Sequence, residues 1–319
     1  MRVVVVGAGL TGLVAARRLL DGGHDVVVVD KGRGPGGRMA TRRIGAATLD
    51  TGAQFFTVRS DELAELVRPL LADGLVREWC RGFAGDDGHP RYVVRGGMNA
   101  LAKRLAVGLD VRHEHMVFSV RPAEPAASHA WEVVRDDATW LPADAVIMTS
   151  PVPQSSSILM PAHLRVAEEV RWLGYHPTLA LLVVLDGPSA VPAPGGVQEP
   201  DDTFAFIGDN HAKGLSAVPA LTLHLRGEVS STRWDEPSEL LHAELLETAR
   251  PWFGRADVVD SQLKRWRFAT PKAPWAERCV AVDGDRGVVV MAGDAFGGPK
   301  VEGAVLSGMA AAAAVAARA

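Results

Sequence analysis

The first thirty residues constrain this chain more than any other stretch. "RVVVVGAGLTGLVAARRLLDGGHDVVVVD" runs from a β-branched strand at 2–6 through a helix at 10–22 to a second apolar strand at 25–30. The helix reads from the 3.6-residue recurrence of Leu10, Leu13, Val14, Leu19 and Leu20, and the strands from their short unbroken Val runs. Together they predict a βαβ unit and hence a parallel sheet. Gly7, Gly9 and Gly12 fall between the first strand and the helix at G-x-G-x-x-G spacing. Such a turn lets a pyrophosphate approach the backbone at the N-terminus of the helix. Asp30 closes the second strand, where an acidic side chain binds an adenosine ribose and disfavours a 2′-phosphate. A dinucleotide site is the expectation.

The next segment, "DKGRGPGGRMATRR", crowds Lys31, Arg33, Arg38, Arg42 and Arg43 among Gly32, Gly34, Gly36 and Gly37. Like charges at that density repel unless an anion sits among them, and glycine backbone can lie close to a bulky cofactor. Lys31, Arg33, Gly37 and Arg38 are therefore cofactor-binding candidates. The chain balances 34 basic against 38 acidic residues, so no global field calls for nucleic acid or an anionic membrane. Cys80 and Cys279 are its two cysteines, too few for a disulfide framework or a zinc site, and the composition suits a reducing cytoplasm. Neither the glycine-interrupted N-terminus nor the Ala-rich stretch 304–317 reads as a signal peptide or membrane span.

Farther along, helices are expected at 60–73, 97–107 and about 236–250. "MVFSVRP" and "AWEVVRDD" should pair, and "ADAVIMTSP" reads as a strand ending at Pro151. The strands at 179–186 and 219–226, with "DTFAFIGDN" between them, predict an antiparallel sheet separate from the βαβ scaffold. The end of the chain, "GVVVMAGDAFGGPKVEGAVLSGMAAAAAVAARA", reads as a buried strand, a glycine turn and a long helix. Asp294 follows that strand, placed to bind hydroxyls of a sugar-like chain. The helix opening, with Val301, Glu302 and Ala304, would present positive dipole to a flavin pyrimidine, a contribution of ~0.3–2 kcal/mol. Two glycine turns so far apart in sequence point to one extended cofactor, FAD.

"GAGLTG", "DKGRGPGGRMATRR", "LDTGAQFFTVR", "GGMNALAKRLA", "RWRFATP" and "AGDAFGGPKVEGAVLSG" together resemble the renalase family, its bacterial members above all, within the flavin amine oxidase superfamily. The likeness is strongest at 30–59 and 291–309 and loosest at 186–235, where "DNHAKGL" stands in place of a Ser-Lys-Pro-Gly-type stretch. It implies an α/β fold with a Rossmann-type FAD-binding domain, glutathione-reductase-like and p-hydroxybenzoate-hydroxylase-like, and an inserted mixed or antiparallel-sheet substrate domain. The expected division is 1–60, 96–165 and 272–319 for FAD, with 61–95 and 166–271 for substrate. By motif, Gly7, Gly9, Gly12, Asp30, Arg38 and Asp294 would bind noncovalent FAD, with Gln54 near the flavin and Val117 near adenine through its backbone. The implied reaction oxidises 2- and 6-dihydro isomers of NAD(P) and passes electrons to O2, giving peroxide.

Pocket walls are expected from "DTGAQFF" and the inserted sheet. Strand alternation turns one of Phe55 and Phe56 to the isoalloxazine and the other to the core; Phe56 stands with Gln54, Tyr175, His224 and Trp266 as catalytic candidates. His176 lies beside Tyr175. A histidine inside a strand is ordinarily a satisfied core residue, and Arg226 and Arg267, which can meet a dinucleotide phosphate, read equally as surface groups. The competing readings are an amine oxidase, a noncatalytic flavin-binding redox sensor and a NAD-only dehydrogenase. With only Tyr92 and Tyr175 available, a tyrosine pair around an amine would need both.

Overall fold

The structure, a computed structural model, describes every residue except Ala84, Asp86 and Asp87, and the backbone alone at Asp283. Its central six-stranded sheet runs in the order Val280–Asp283, Val288–Met291, Ala145–Met148, Arg2–Val6, Asp25–Val29, Asp110–Arg112. All neighbours pair parallel except the outermost, Val280–Asp283. Strands buried on both faces need no apolar alternation, which is why "VVVV" and "AVIM" suffice here. One face packs on the helices Leu10–Asp21 and Lys300–Ala316. The other packs on a three-stranded sheet, Val117–Pro122, Trp131–Arg135 and Trp140–Ala143, through Trp131, Val133 and Met148.

A five-stranded sheet stands apart in the order Gly196–Gln198, Phe204–Asp209, Ala220–Leu225, Tyr175–Leu185, Val258–Pro271, with every pair antiparallel. Strand alternation splits its residues cleanly. Leu221, Leu223 and Leu225 meet the helix Ser238–Phe253 on one face. On the other, Leu182, Val184 and Ala220 pack on Ile44, Ala47 and Leu49 of the hairpin Thr41–Ile44/Ala47–Asp50. That hairpin is one of the contacts between the five-stranded sheet and the rest of the fold. A further hairpin, Val76–Cys80/Arg91–Val94, packs with the helices Asp61–Ala72 and Asn99–Ala106.

The expected elements are present with small shifts at their ends, as at Ser238–Phe253. Val258–Pro271 is a 14-residue strand of which "WRFATP" is only the end. Its side chains are mostly half-buried, so it lacks the apolar alternation from which strands are read. Among the described residues, no helix is long and apolar enough to cross a membrane.

Candidate functional site

Two glycine turns meet at the carboxyl edge of the six-stranded sheet. Arg2–Val6 and Val288–Met291 point the same way through Ala145–Met148, and each is followed by a turn and a helix, so both helix N-termini lie at one edge. The helices touch closely: a Cβ on Gly308 would sit 2.5 Å from the Thr11 carbonyl oxygen. Both turns close on their own backbone. A Cβ on Gly12 would lie 2.0 Å from the Gly7 oxygen, and one on Gly303 only 1.7 Å from the Gly298 oxygen. Gly7 and Gly298 have φ of +113° and +140°, a region that glycine alone enters cheaply.

Neither helix start has a side-chain cap, although the first N–H groups of a helix have no partner within it. Added Cβ atoms on Gly9 and Gly298 would meet nothing within 4 Å. Open space in front of two uncapped helix starts is a cradle for a phosphate-bearing cofactor. Asp30 braces the first turn, its carboxylate accepting N–H bonds from Ala8 at 2.7 Å and Gly32 at 2.6 Å. The arginine-rich loop folds over the same turn, with the Gly36 N–H on the Ala8 carbonyl at 2.9 Å.

Arg38 links the two turns. Its guanidinium grips Asp294 with two bonds of 2.7 and 2.6 Å and donates to the Ala269 carbonyl at 3.0 Å. Bidentate charge-assisted pairs are the strong class of hydrogen bond. Tyr175 lies beneath the same guanidinium, 5.9 Å from ring centroid to Arg38 Cζ. Burial, with the Asp294 charge adding, pushes its phenol up to about 12, so Tyr175 is a neutral hydroxyl across the working pH range.

The second centre lies where "LDTGAQFF" passes between the sheets. Lys213 is 1% exposed, and its ammonium donates to Asp50 Oδ2 at 3.0 Å and Gln54 Oε1 at 3.1 Å. Asp50 Oδ1 accepts from the Thr41 hydroxyl at 2.7 Å and the Met98 N–H at 2.8 Å. From the five-stranded sheet, the Thr222 hydroxyl donates to the Asp50 carbonyl at 2.9 Å. His224 Nε2 and Trp266 Nε1 both meet the Thr51 carbonyl, at 3.2 and 3.0 Å. Because a carbonyl only accepts, His224 must be the Nε2–H tautomer, leaving Nδ1 as an acceptor. Burial lowers its pKa to about 4, against the hydrogen bond to Thr51 and with help from the Lys213 charge.

The unfolded histidine titrates near 6.5 and the folded one near 4, so between those values the unfolded state binds more protons. The contribution of His224 to stability is complete above about pH 6.5 and is lost as pH falls toward about 4. His224→Gln, which keeps a donor for Thr51, should flatten that limb. Urea midpoints of both proteins between those pH values measure it, and parallel curves would refute it.

Family models match the sequence along almost the whole chain. Residues 5–70 match the NAD(P)-binding Rossmann-like domain, and residues 75–316 match the flavin containing amine oxidoreductase family. The chain belongs to the flavin-containing amine oxidoreductase family. This oxidoreductase is similar over short stretches to curated proteins. It is 48% identical over 58 residues to hydroxyneurosporene desaturase of Rubrivivax gelatinosus, covering 18% of this chain and 11% of that one. It is 45% identical over 74 residues to lysine-specific histone demethylase 1 homolog 1 of Arabidopsis thaliana, covering 21% and 9%. The matched stretches thus span about a tenth of those relatives' length.

Solved structures share the fold end to end. A crystal structure from Exiguobacterium sp. 255-15, provisionally described as a protoporphyrinogen oxidase, superposes with a TM-score of 0.76 at 15% identity, covering 100% of this chain and 99% of that chain. Putrescine oxidase bound to putrescine gives 0.70 at 17% identity, covering 100% of both. The cofactor of this oxidoreductase is therefore FAD, and the fold is the expected Rossmann-type flavoprotein fold.

The structure brings Gly7, Gly9, Gly12, Asp30, Gly37, Arg38 and Asp294 together around the two turns, with a Cβ on Gly37 only 3.7 Å from the Gly9 Cα. Lys31 and Arg33 are exposed on the loop. Val301 is buried and Ala304 packs beside it. Glu302 turns away to accept the Ser60 N–H at 2.6 Å, serving the start of the helix Asp61–Ala72. Val117 packs its side chain into the core between the three- and six-stranded sheets.

Gln54 is consumed internally: its amide donates to the Asp50 and Gly52 carbonyls while its oxygen receives Lys213. Phe56 is 3% exposed in a cluster with Leu10, Val14 and Leu63, because its backbone pairs with Tyr92 and drives the ring inward. Phe55, half-buried, is the ring at the junction. Arg226 bonds the Asp201 carbonyl and Arg267 lies exposed over Trp234, while His176 packs on Gly227. Asp50, Lys213, Trp79, Phe83 and Arg91 were not singled out from sequence. "LDTG" and "DNHAKG" did hold a trace, an acid closing a buried strand and a lysine in an otherwise small-residue turn.

Proposed function

We propose that this chain is an oxidase that takes hydride from 2- or 6-dihydro isomers of NAD(P) and delivers the electrons to O2 as peroxide. The observation that carries the reading is the state of the groups at the junction. His224 is neutral and tied to Thr51, while Asp50 and Asp294 are committed to Lys213 and Arg38. A donor that gives up hydride outright suits such a site, since it needs no base to remove a proton first. An amine has to lose a proton before or during oxidation.

FAD, when bound, supplies two-electron acceptance. The two uncapped helix starts would hold its phosphates, Asp30 its ribose, and Arg38 with Asp294 its central chain, without a covalent tether. In this reading residues 1–60, 96–165 and 272–319 carry the cofactor, and 61–95 with 166–271 form the substrate side. His224 Nδ1 offers an acceptor for a carboxamide N–H of the substrate, and Trp266 walls the same side. The two tyrosines favour this over an amine oxidase: Tyr92 packs on Phe56, whereas Tyr175 packs on Phe268 beneath the Arg38 guanidinium, so the two rings belong to separate clusters. Anaerobic stopped-flow mixing with dihydro-NAD isomers should bleach the flavin within the dead time to seconds. Bleaching by amines and not by those isomers would overturn the proposal.

A further inference from the structure

The rings at the junction already carry cations. Phe55, Trp79, Phe83 and Phe206 form a cluster with centroids 5.1–6.2 Å apart, edge-to-face except for the tilted pair Phe55–Phe206. The Arg91 guanidinium lies 4.8 Å from the Phe83 centroid and 5.7 Å from that of Phe55, and Lys213 Nζ lies 5.9 Å from Trp79. On the five-stranded sheet, Lys264 Nζ sits 4.9 Å from the Trp266 ring. Register ties these groups to one face. His224 opposes Phe206 on one side and Ala180 on the other, and Ala180 opposes Lys264. Directly opposed residues project to the same face, so Phe206, His224 and Lys264 stand in one row facing the Asp50–Gln54 segment.

An ammonium substrate is recognised by aromatic faces or by a carboxylate. Here Arg91 lies over Phe55 and Phe83, Lys213 over Trp79 and Lys264 over Trp266, and Asp50 is paired with Lys213. We infer that the junction excludes protonated amines because the chain's own cations lie over four of its rings, with Lys264 as the specificity-determining residue. An incoming ammonium would have to displace a tethered cation or sit beside it in a partly desolvated space, where like charges are weakly screened. Neutral or anionic donors face no such barrier. The inference rests on the reading of this junction as the substrate side of the flavin enzyme.

The test uses the FAD-loaded full chain and benzylammonium as the probe, read by perturbation of the flavin absorbance. Wild-type protein should give no saturable change up to roughly 10 mM, the weak end of measurable affinity. Lys264→Met, at a half-buried position, should gain a saturable change, its affinity improved tenfold or more. Saturable binding or reduction by benzylammonium in the wild type overturns the inference. So does its absence in Lys264→Met that still carries FAD. Mixing the same samples with dihydro-NAD isomers tests the oxidase reading separately, because that reaction can fail while amine exclusion and its relief both hold.

Discussion

Replacing Gly303 with alanine is expected to yield protein without flavin. The new Cβ would lie 1.7 Å from the Gly298 carbonyl oxygen, an approach no side chain tolerates, so the turn must open and carry the helix start with it. Gly12→Ala should act alike, since its Cβ would fall 2.0 Å from the Gly7 oxygen. An FAD affinity loss of 100-fold or more, about 2.7 kcal/mol, is the expectation for each. Gly9→Ala separates cradle from fold. Gly9 has φ of −75° and its Cβ would meet nothing within 4 Å, so the apo protein should be unharmed, or steadier by ~0.4–1 kcal/mol through its unfolded state. The methyl group would nevertheless project into the space offered to the phosphates. Flavin-to-protein absorbance ratios, with thermal melts of the apo proteins, read both effects; full flavin occupancy in Gly303→Ala would refute the turn-closure argument.

Lys213→Met should be the most damaging single change at the junction. It leaves the Asp50 carboxylate, 1% exposed, without its ammonium partner. Removing one member of a buried ion pair costs ~3–5 kcal/mol, because the remaining charge stays desolvated. Asp50 would keep the Thr41 hydroxyl and the Met98 N–H, which offset only part of that cost. Combining the change with Asp50→Asn removes the stranded charge and retains an oxygen for those two donors. The double variant should therefore recover at least half of the loss, with non-additivity of ~1.5 kcal/mol or more. Urea unfolding of the four proteins of this cycle decides the matter. A loss below ~1 kcal/mol in Lys213→Met would mean that the pair behaves as a solvated surface contact.

Proximity in sequence decided what was legible in advance. Gly7, Gly12 and Asp30 act within one βαβ unit, and Asp294 and Gly303 within one strand-turn-helix, so steric demand and apolar period already fix the local backbone. The antiparallel sheet was readable for the same reason, while its long strand Val258–Pro271 was not, because half-burial along a sheet edge leaves no regular pattern. The glycine turns, Asp30 at the end of its strand and the order of the main elements thus belonged to the amino-acid string alone. Tertiary structure alone decided that Arg38 would grip Asp294 across 256 residues and that Lys213 would meet Asp50 across 163. It also chose Phe55 over Phe56 for the junction, through the pairing of Phe56 with Tyr92. Those choices turn on strand register and on which faces of two separate sheets are pressed together, and no local periodicity encodes a contact between segments that meet only after both sheets have formed.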